Sequence, residues 1–197
     1  MRIVGGRWRG RSIEAPEGRG VTRPTTDRTR EQIASMILSA RGLDLSGESV
    51  LDAFAGSGAM GLELLSRGAL RATFVDSDRR AVQRIRRSAT ALGAAQSEFC
   101  ATCGDVFALT RRGLVGAPFD IVFLDPPYAI EAERVSGLVS ELVASGQLSA
   151  GATVIYEHAS NARGLVCDGL ELLKSKTHGI TAVDLLVVRR EEDSHEL

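Results

Sequence analysis

The stretch SVLDAFAGSGAMGLELLSRG (49–68) constrains the fold more than any other part of the chain. A short apolar strand runs straight into Gly56-x-Gly58-x-x-Gly61 and then into a segment of helical period that stops at Gly68. Strand, glycine turn and helix in that order make half of a strand–helix–strand unit, whose next strand returns parallel to the first. RATFVD (71–76) supplies that strand. The alternation continues with a helix carrying Val82, Ile85, Ala89 and Leu92 on one face, then the weaker strand SEFCAT. FDIVFLD (119–125) is a strong fourth strand. Val135, Leu138, Val139, Leu142 and Val143 mark another helix, and ATVIYEH (152–158) a fifth strand. LELLKSK and AVDLLVVRR, separated by THGI, read as a closing antiparallel hairpin.

Continuous apolar strands between helices predict a parallel sheet covered on both faces. The final hairpin makes it a mixed seven-stranded α/β sheet of Rossmann-like form with the last strand antiparallel. A helix over about 27–41 precedes it, with Ile33, Met36, Ile37 and Ala40 on one face. Ahead of that helix, RIVGGRWRGRSIEAP reads as a small β-hairpin. The expected division is a basic hairpin arm over 1–24, a main domain over 25–190 and an acidic, flexible tail over 191–197.

The chain has 197 residues, 44% of them hydrophobic, which suits one domain with its own core. No run approaches 18 apolar residues and the first residues lack the apolar segment of a secretory signal, so a cytoplasmic protein without membrane contact is expected. The net charge of −1 hides an asymmetry: residues 1–30 hold eight Arg against Glu14, Glu17 and Asp27. A basic arm on a near-neutral body points to a polyanionic partner. Cys100, Cys103 and Cys167 are too few for a disulfide framework. Cys100-x-x-Cys103 has redox or zinc spacing, but residues three apart on a strand face opposite ways and no second pair completes a metal set. Inert thiols and no metal are expected.

The glycine loop fits any adenosine-bearing ligand, since glycines let the backbone approach it and a helix N-terminus offers free N–H groups. Asp76, twenty residues after Gly56, is placed to take the two hydroxyls of a ribose. Asp52 separates the possibilities. A carboxylate beside a pyrophosphate is repulsive, whereas beside an ammonium it is favourable. S-adenosylmethionine has the adenosine of NAD but an amino-acid end in place of a pyrophosphate. Asp105, in GDVF (104–107), either accepts from an adenine amino group, with the Val106 N–H on a ring nitrogen, or caps a helix.

Asp52-x-Phe54-x-Gly56-x-Gly58 resembles motif I of the class I methyltransferases, which implies that fold, S-adenosylmethionine as cofactor, and Asp52 near its ammonium. Asp125-Pro126-Pro127-Tyr128 matches the [DNS]PP[YFW] motif of amino-group methyltransferases. An exocyclic amine is a poor nucleophile because its lone pair is delocalised into the ring. The Asp125 carboxylate and Pro126 carbonyl can accept from its two N–H groups, aligning the lone pair and stabilising developing charge. Pro127 stiffens the turn, and Tyr128 offers a face to a base drawn out of its stack. Asp125 either orients the amine or also takes its proton.

RPTTDRTRE (23–31), preceded by IVGGRWRGR, resembles the RsmD family of bacterial methyltransferases acting on a guanine N2 in 16S ribosomal RNA. The resemblance covers nearly the whole chain, although the family often has Glu where Asp76 stands. It implies that Thr26 borders the cofactor pocket and that the arm meets RNA. Arg2, Arg7, Arg9, Arg11, Arg23 and Arg28 would bind phosphate, and Trp8 would either stack on a base or pack on the body. The expected protein is a monomer acting on a ribosomal small subunit. DNA adenine-N6 methylation and non-catalytic RNA binding are the alternatives. Glu157, His158 and His178 have no assigned role.

Overall fold

The computed structural model describes residues 1–15 and 27–189. Five helices and seven strands follow the expected alternation. They are α1 (Asp27–Ala40), β1 (Ser49–Asp52), α2 (Ala59–Ser66), β2 (Arg71–Asp76), α3 (Arg79–Leu92), β3 (Phe99–Cys103), α4 (Val106–Thr110), β4 (Phe119–Leu124), α5 (Ala132–Ala144), β5 (Leu148–Ala159), β6 (Leu170–His178) and β7 (Thr181–Val188). The helix α4, a single turn too short to show a period, was marked in the sequence only by the capping alternative for Asp105.

The strands form one sheet in the order β3-β2-β1-β4-β5-β7-β6. The first five are parallel, and β7 inserts antiparallel between β5 and β6. All four residues of β1 are buried, as a central strand covered on both faces must be. One core layer joins α1, α2 and α3 to the sheet through Ile37, Leu65 and Ile85; the other joins α5 through Val135, Val139 and Leu142. Among the described residues no helix is long and apolar enough to cross a membrane.

Three features of the loop–helix junction explain its glycines separately. Gly58 has φ +72°, which a side chain tolerates poorly, and a Cβ there would also sit 2.8 Å from Ile85. Gly61 lets α2 lie against β2: an added Cβ would fall 2.3 Å from the Phe74 ring. Gly56 donates its N–H to Asp76 Oδ2 at 2.7 Å, and a Cβ there would project into open space.

The expected N-terminal hairpin is present in short form: an antiparallel bridge, Arg2–Ser12, around a 3-10 turn at Gly6–Trp8, with the Ile3 N–H donating to Arg11 O at 2.9 Å and the Ile13 N–H to Met1 O at 3.0 Å. The N–H groups of the turn between its two segments go to α2. The Val4 and Gly5 N–H groups donate to Glu63 at 2.8 and 2.7 Å, and the Trp8 N–H to Ser66 Oγ at 2.9 Å. Ile3, Trp8 and Ile13 are buried in the core beside them, each contributing about 1.5–3 kcal/mol of apolar burial. The arm over 1–15 is therefore packed structure. The expected boundary at 24 and the acidic tail lie outside the described residues.

Candidate active site

The carboxyl ends of the parallel strands bring together residues from position 52 to position 128 of the sequence. Asp52 ends β1, Asp76 ends β2, Asp105 follows β3 and Asp125 follows β4. All four line one cleft of about 410 Å³, with Phe54, Gly56, Val106, Pro126, Pro127 and Tyr128. The cleft opens where the chain's winding reverses between β1 and β4, the place where open α/β sheets bind ligands. Gly58 stands behind the loop and shapes it without lining the cleft. Arg23 and Thr26 lie outside the described residues.

Asp76 is fixed from two sides, accepting from the Gly56 N–H and, at 2.8 Å, from the Asp78 N–H. Each oxygen keeps a further lone pair for a hydroxyl donor. Asp105 caps α4 by accepting from the Phe107 N–H at 3.1 Å. It also lines the cleft, so the two roles considered from sequence are compatible. Phe54 meets Phe107 edge-on at 6.1 Å, and the Arg134 guanidinium lies 4.1 Å over the Phe107 ring. Sequence reasoning missed Phe107 and Arg134, whose pairing depends on α5 crossing over α4.

Asp52 is 2% exposed, and its Oδ2 accepts from the Gly61 N–H at 3.0 Å. Burial pushes its carboxyl up to about 8; the Gly61 hydrogen bond opposes the shift, and the charges of Asp125 and Asp76 add to it. A pyrophosphate at the glycine loop would add negative charge beside Asp52, whose carboxyl already resists ionisation. A ligand with a cationic end and a ribose would meet acceptors matched to both. The donor set thus fits S-adenosylmethionine and opposes a nicotinamide dinucleotide.

Asp125 opens into the cleft but is ringed by protein, and the lost hydration raises its carboxyl to about 6. It remains mostly ionised at neutral pH and able to accept. Pro126 is buried; Tyr128 is 69% exposed at the rim. Acceptor and aromatic face therefore stand at the mouth of the cleft, where a macromolecular substrate can reach them.

The arm's basic residues divide. Arg9 and Arg28 are exposed. Arg2 pairs with Asp27 at 2.9 Å and Arg7 with Glu98 at 2.6 Å, both exposed contacts worth little and exchangeable for phosphate. Arg11 reaches the last carbonyls of α3, with Leu92 O at 2.7 Å, where a helix end favours a cation. Trp8 is 5% exposed, with the Arg7 guanidinium 4.2 Å from its ring, so the stacking alternative gives way to packing on the body. Cys100 and Cys103 are free thiols.

Residues 1–187 match the family model described as "Conserved hypothetical protein 95". YlbH of Bacillus subtilis is 32% identical over 93% of this chain and 96% of its own length. Ribosomal RNA small subunit methyltransferase D of Escherichia coli is 38% identical over 65% of this chain, an alignment that spans 60% of that relative's length. The solved structure of the Escherichia coli protein yhhF superposes with a TM-score of 0.80, at 30% identity, over 96% of this chain and 98% of its own. Matched along nearly its whole length by the family model, by YlbH and by the yhhF structure, the chain belongs to the RsmD-like methyltransferase family.

Proposed function

We propose that the protein transfers a methyl group from S-adenosylmethionine to the exocyclic N2 of a guanine in 16S ribosomal RNA, acting as a monomer in the cytoplasm on an assembled or partly assembled small subunit. The observation that carries this reading is the shared cleft. The acceptors suited to an amino-acid ammonium and a ribose, Asp52 and Asp76, open into the same space as Asp125-Pro126-Pro127-Tyr128.

S-adenosylmethionine supplies a methyl carbon already activated by its sulfonium. The chain's own work is to bind and orient. Asp52 receives the ammonium, Asp76 the ribose hydroxyls, and Asp105 with the Val106 N–H the adenine edge. The ionised Asp125 carboxylate and the Pro126 carbonyl accept from the two N–H groups of the target amine, turning its lone pair toward the cleft. Pro127 limits the backbone freedom of that acceptor pair, and Tyr128 covers the extruded base, offsetting part of its unstacking cost. Once methylated, the amine is acidic enough for Asp125 or water to take its proton. Arg2, Arg7, Arg9 and Arg28, with Arg23, contribute phosphate contacts on the arm side.

The test is incubation of the purified protein and labelled S-adenosylmethionine with small subunits from a strain lacking the gene, with naked 16S RNA, and with DNA oligonucleotides. Label is expected in N2-methylguanosine from the subunits. Label in N6-methyladenine of DNA would replace this reading, and ligand-dependent RNA binding without transfer would leave a non-catalytic binder.

A further inference from the structure

Of the charged groups bordering the cleft, the most deeply buried is Arg30. Arg30 lies in the first turn of α1 and borders the cleft. It is 1% exposed, among the largest fully buried side chains of the molecule. Burying a guanidinium is expensive unless its donors are satisfied. Its Nη2 is satisfied, donating to Arg2 O at 2.5 Å and Asp27 Oδ1 at 2.7 Å. Its Nε lies 3.8 Å from Glu63 Oε2, close enough for attraction but without a hydrogen bond. Its Nη1 has no hydrogen-bond partner among the described residues.

The position of this unpaired donor narrows what it could meet. Asp52 is bonded to the backbone of Gly61, and Arg30 leans on Glu63, two residues further along α2. The buried carboxyl of Asp52 and the buried guanidinium of Arg30 both line the same cleft. That juxtaposition matches a zwitterion carrying ammonium and carboxylate on a single carbon. Of the other arginines at the cleft, Arg134 covers Phe107, and Arg84, whose Nε also lacks a hydrogen bond among the described residues, lies 3.7 Å from Asp78 on the β2 side. Glu63 offers nothing further to a ligand, since it also accepts from Val4, Gly5 and, at 2.8 Å, Arg67.

We propose that Arg30 binds the α-carboxylate of the cofactor's amino-acid end through Nη1, making it the residue that selects adenosyl ligands bearing an intact amino acid. This rests on the reading that the cleft takes S-adenosylmethionine. The fork is held in advance by Arg2 O and Asp27, so little side-chain freedom is lost on binding. The same contacts tie cofactor recognition to the packed N-terminal segment, because the carbonyl that orients the fork belongs to Arg2.

Calorimetric titration with three ligands tests it: S-adenosylhomocysteine, decarboxylated S-adenosylmethionine, and 5′-methylthioadenosine. The wild-type protein should prefer S-adenosylhomocysteine, and Arg30→Met should weaken that ligand about 10- to 100-fold, the size of a lost charge-assisted bond. Binding of the two ligands without a carboxylate should change less than about twofold by the same reasoning, since neither reaches Nη1. Arg30→Lys keeps a charge beside Asp27 and Glu63 but loses the fork, and should show the same selective loss. If Arg30→Met does not fold, as judged by its melting curve, the lysine variant and the wild-type preference decide. An equal loss for all three ligands, or none, would overturn the carboxylate role while leaving the cofactor reading intact. Failure of the wild type to bind any of the three would instead sink that reading.

Discussion

Asp52 shows how one buried carboxyl couples fold, pH and ligand. Its folded-state value of about 8 lies well above the value near 3.9 of an unfolded aspartate. Below about pH 4 both states are protonated and the group is neutral to stability. As pH rises toward 8 the unfolded chain ionises while the folded one holds its proton, so stability falls, by at most about 1.4 kcal/mol per pH unit, and levels off above. Asp52→Asn should remove that slope. Melting curves of the ligand-free proteins between pH 5 and 8 will check it, and parallel pH dependence in both would contradict the assignment. An ammonium beside Asp52 favours the ionised form, so the feature that weakens the empty protein at neutral pH prepares it for a cationic ligand. Asp52 was legible because its position before the glycines contradicts a pyrophosphate. Arg30 was not: its partners Glu63 and Arg2 lie 33 and 28 positions away, and nothing local in RPTTDRTRE distinguishes a buried arginine from an exposed one.

At the scale of elements, the strand–loop–helix unit is where sequence pattern and three-dimensional need coincide. The spacing Gly56-x-Gly58-x-x-Gly61 reads as one fingerprint, yet its members meet different demands: left-handed backbone at Gly56 and Gly58, and helix–strand contact at Gly61. Gly61→Ala should therefore act on stability. The Cβ would press on Phe74, an overpacking cost of about 1–3 kcal/mol only partly offset by alanine's better helix propensity. A drop in Tm of about 2–10 °C should follow. An unchanged or raised Tm would mean that α2 shifts freely on β2. All seven strands were readable because covered parallel strands are continuously apolar and the closing pair has no helical period. The N-terminal hairpin was legible, but alternation cannot tell that the N–H groups of its turn go to Glu63 and Ser66 of a helix. Trp8 was ambiguous for the same reason.

Across the whole molecule, the binding and transfer groups lining the cleft at the sheet's carboxyl edge come from four separate segments, which only the fold unites. The arm completes this arrangement by packing on α2 and α3, which leaves Arg9 and Arg28 exposed and Arg2 and Arg7 in weak pairs that phosphate can replace. The central claim is that the Asp125 cleft methylates a guanine N2 of 16S ribosomal RNA. Mass spectrometry of nucleosides from that RNA, in a strain lacking the gene and complemented in turn with wild type and Asp125→Ala, tests it most directly. One N2-methylguanosine should vanish in the deletion, return with the wild type and stay absent with Asp125→Ala. An unchanged nucleoside profile in the deletion, or full restoration by Asp125→Ala, would contradict the account.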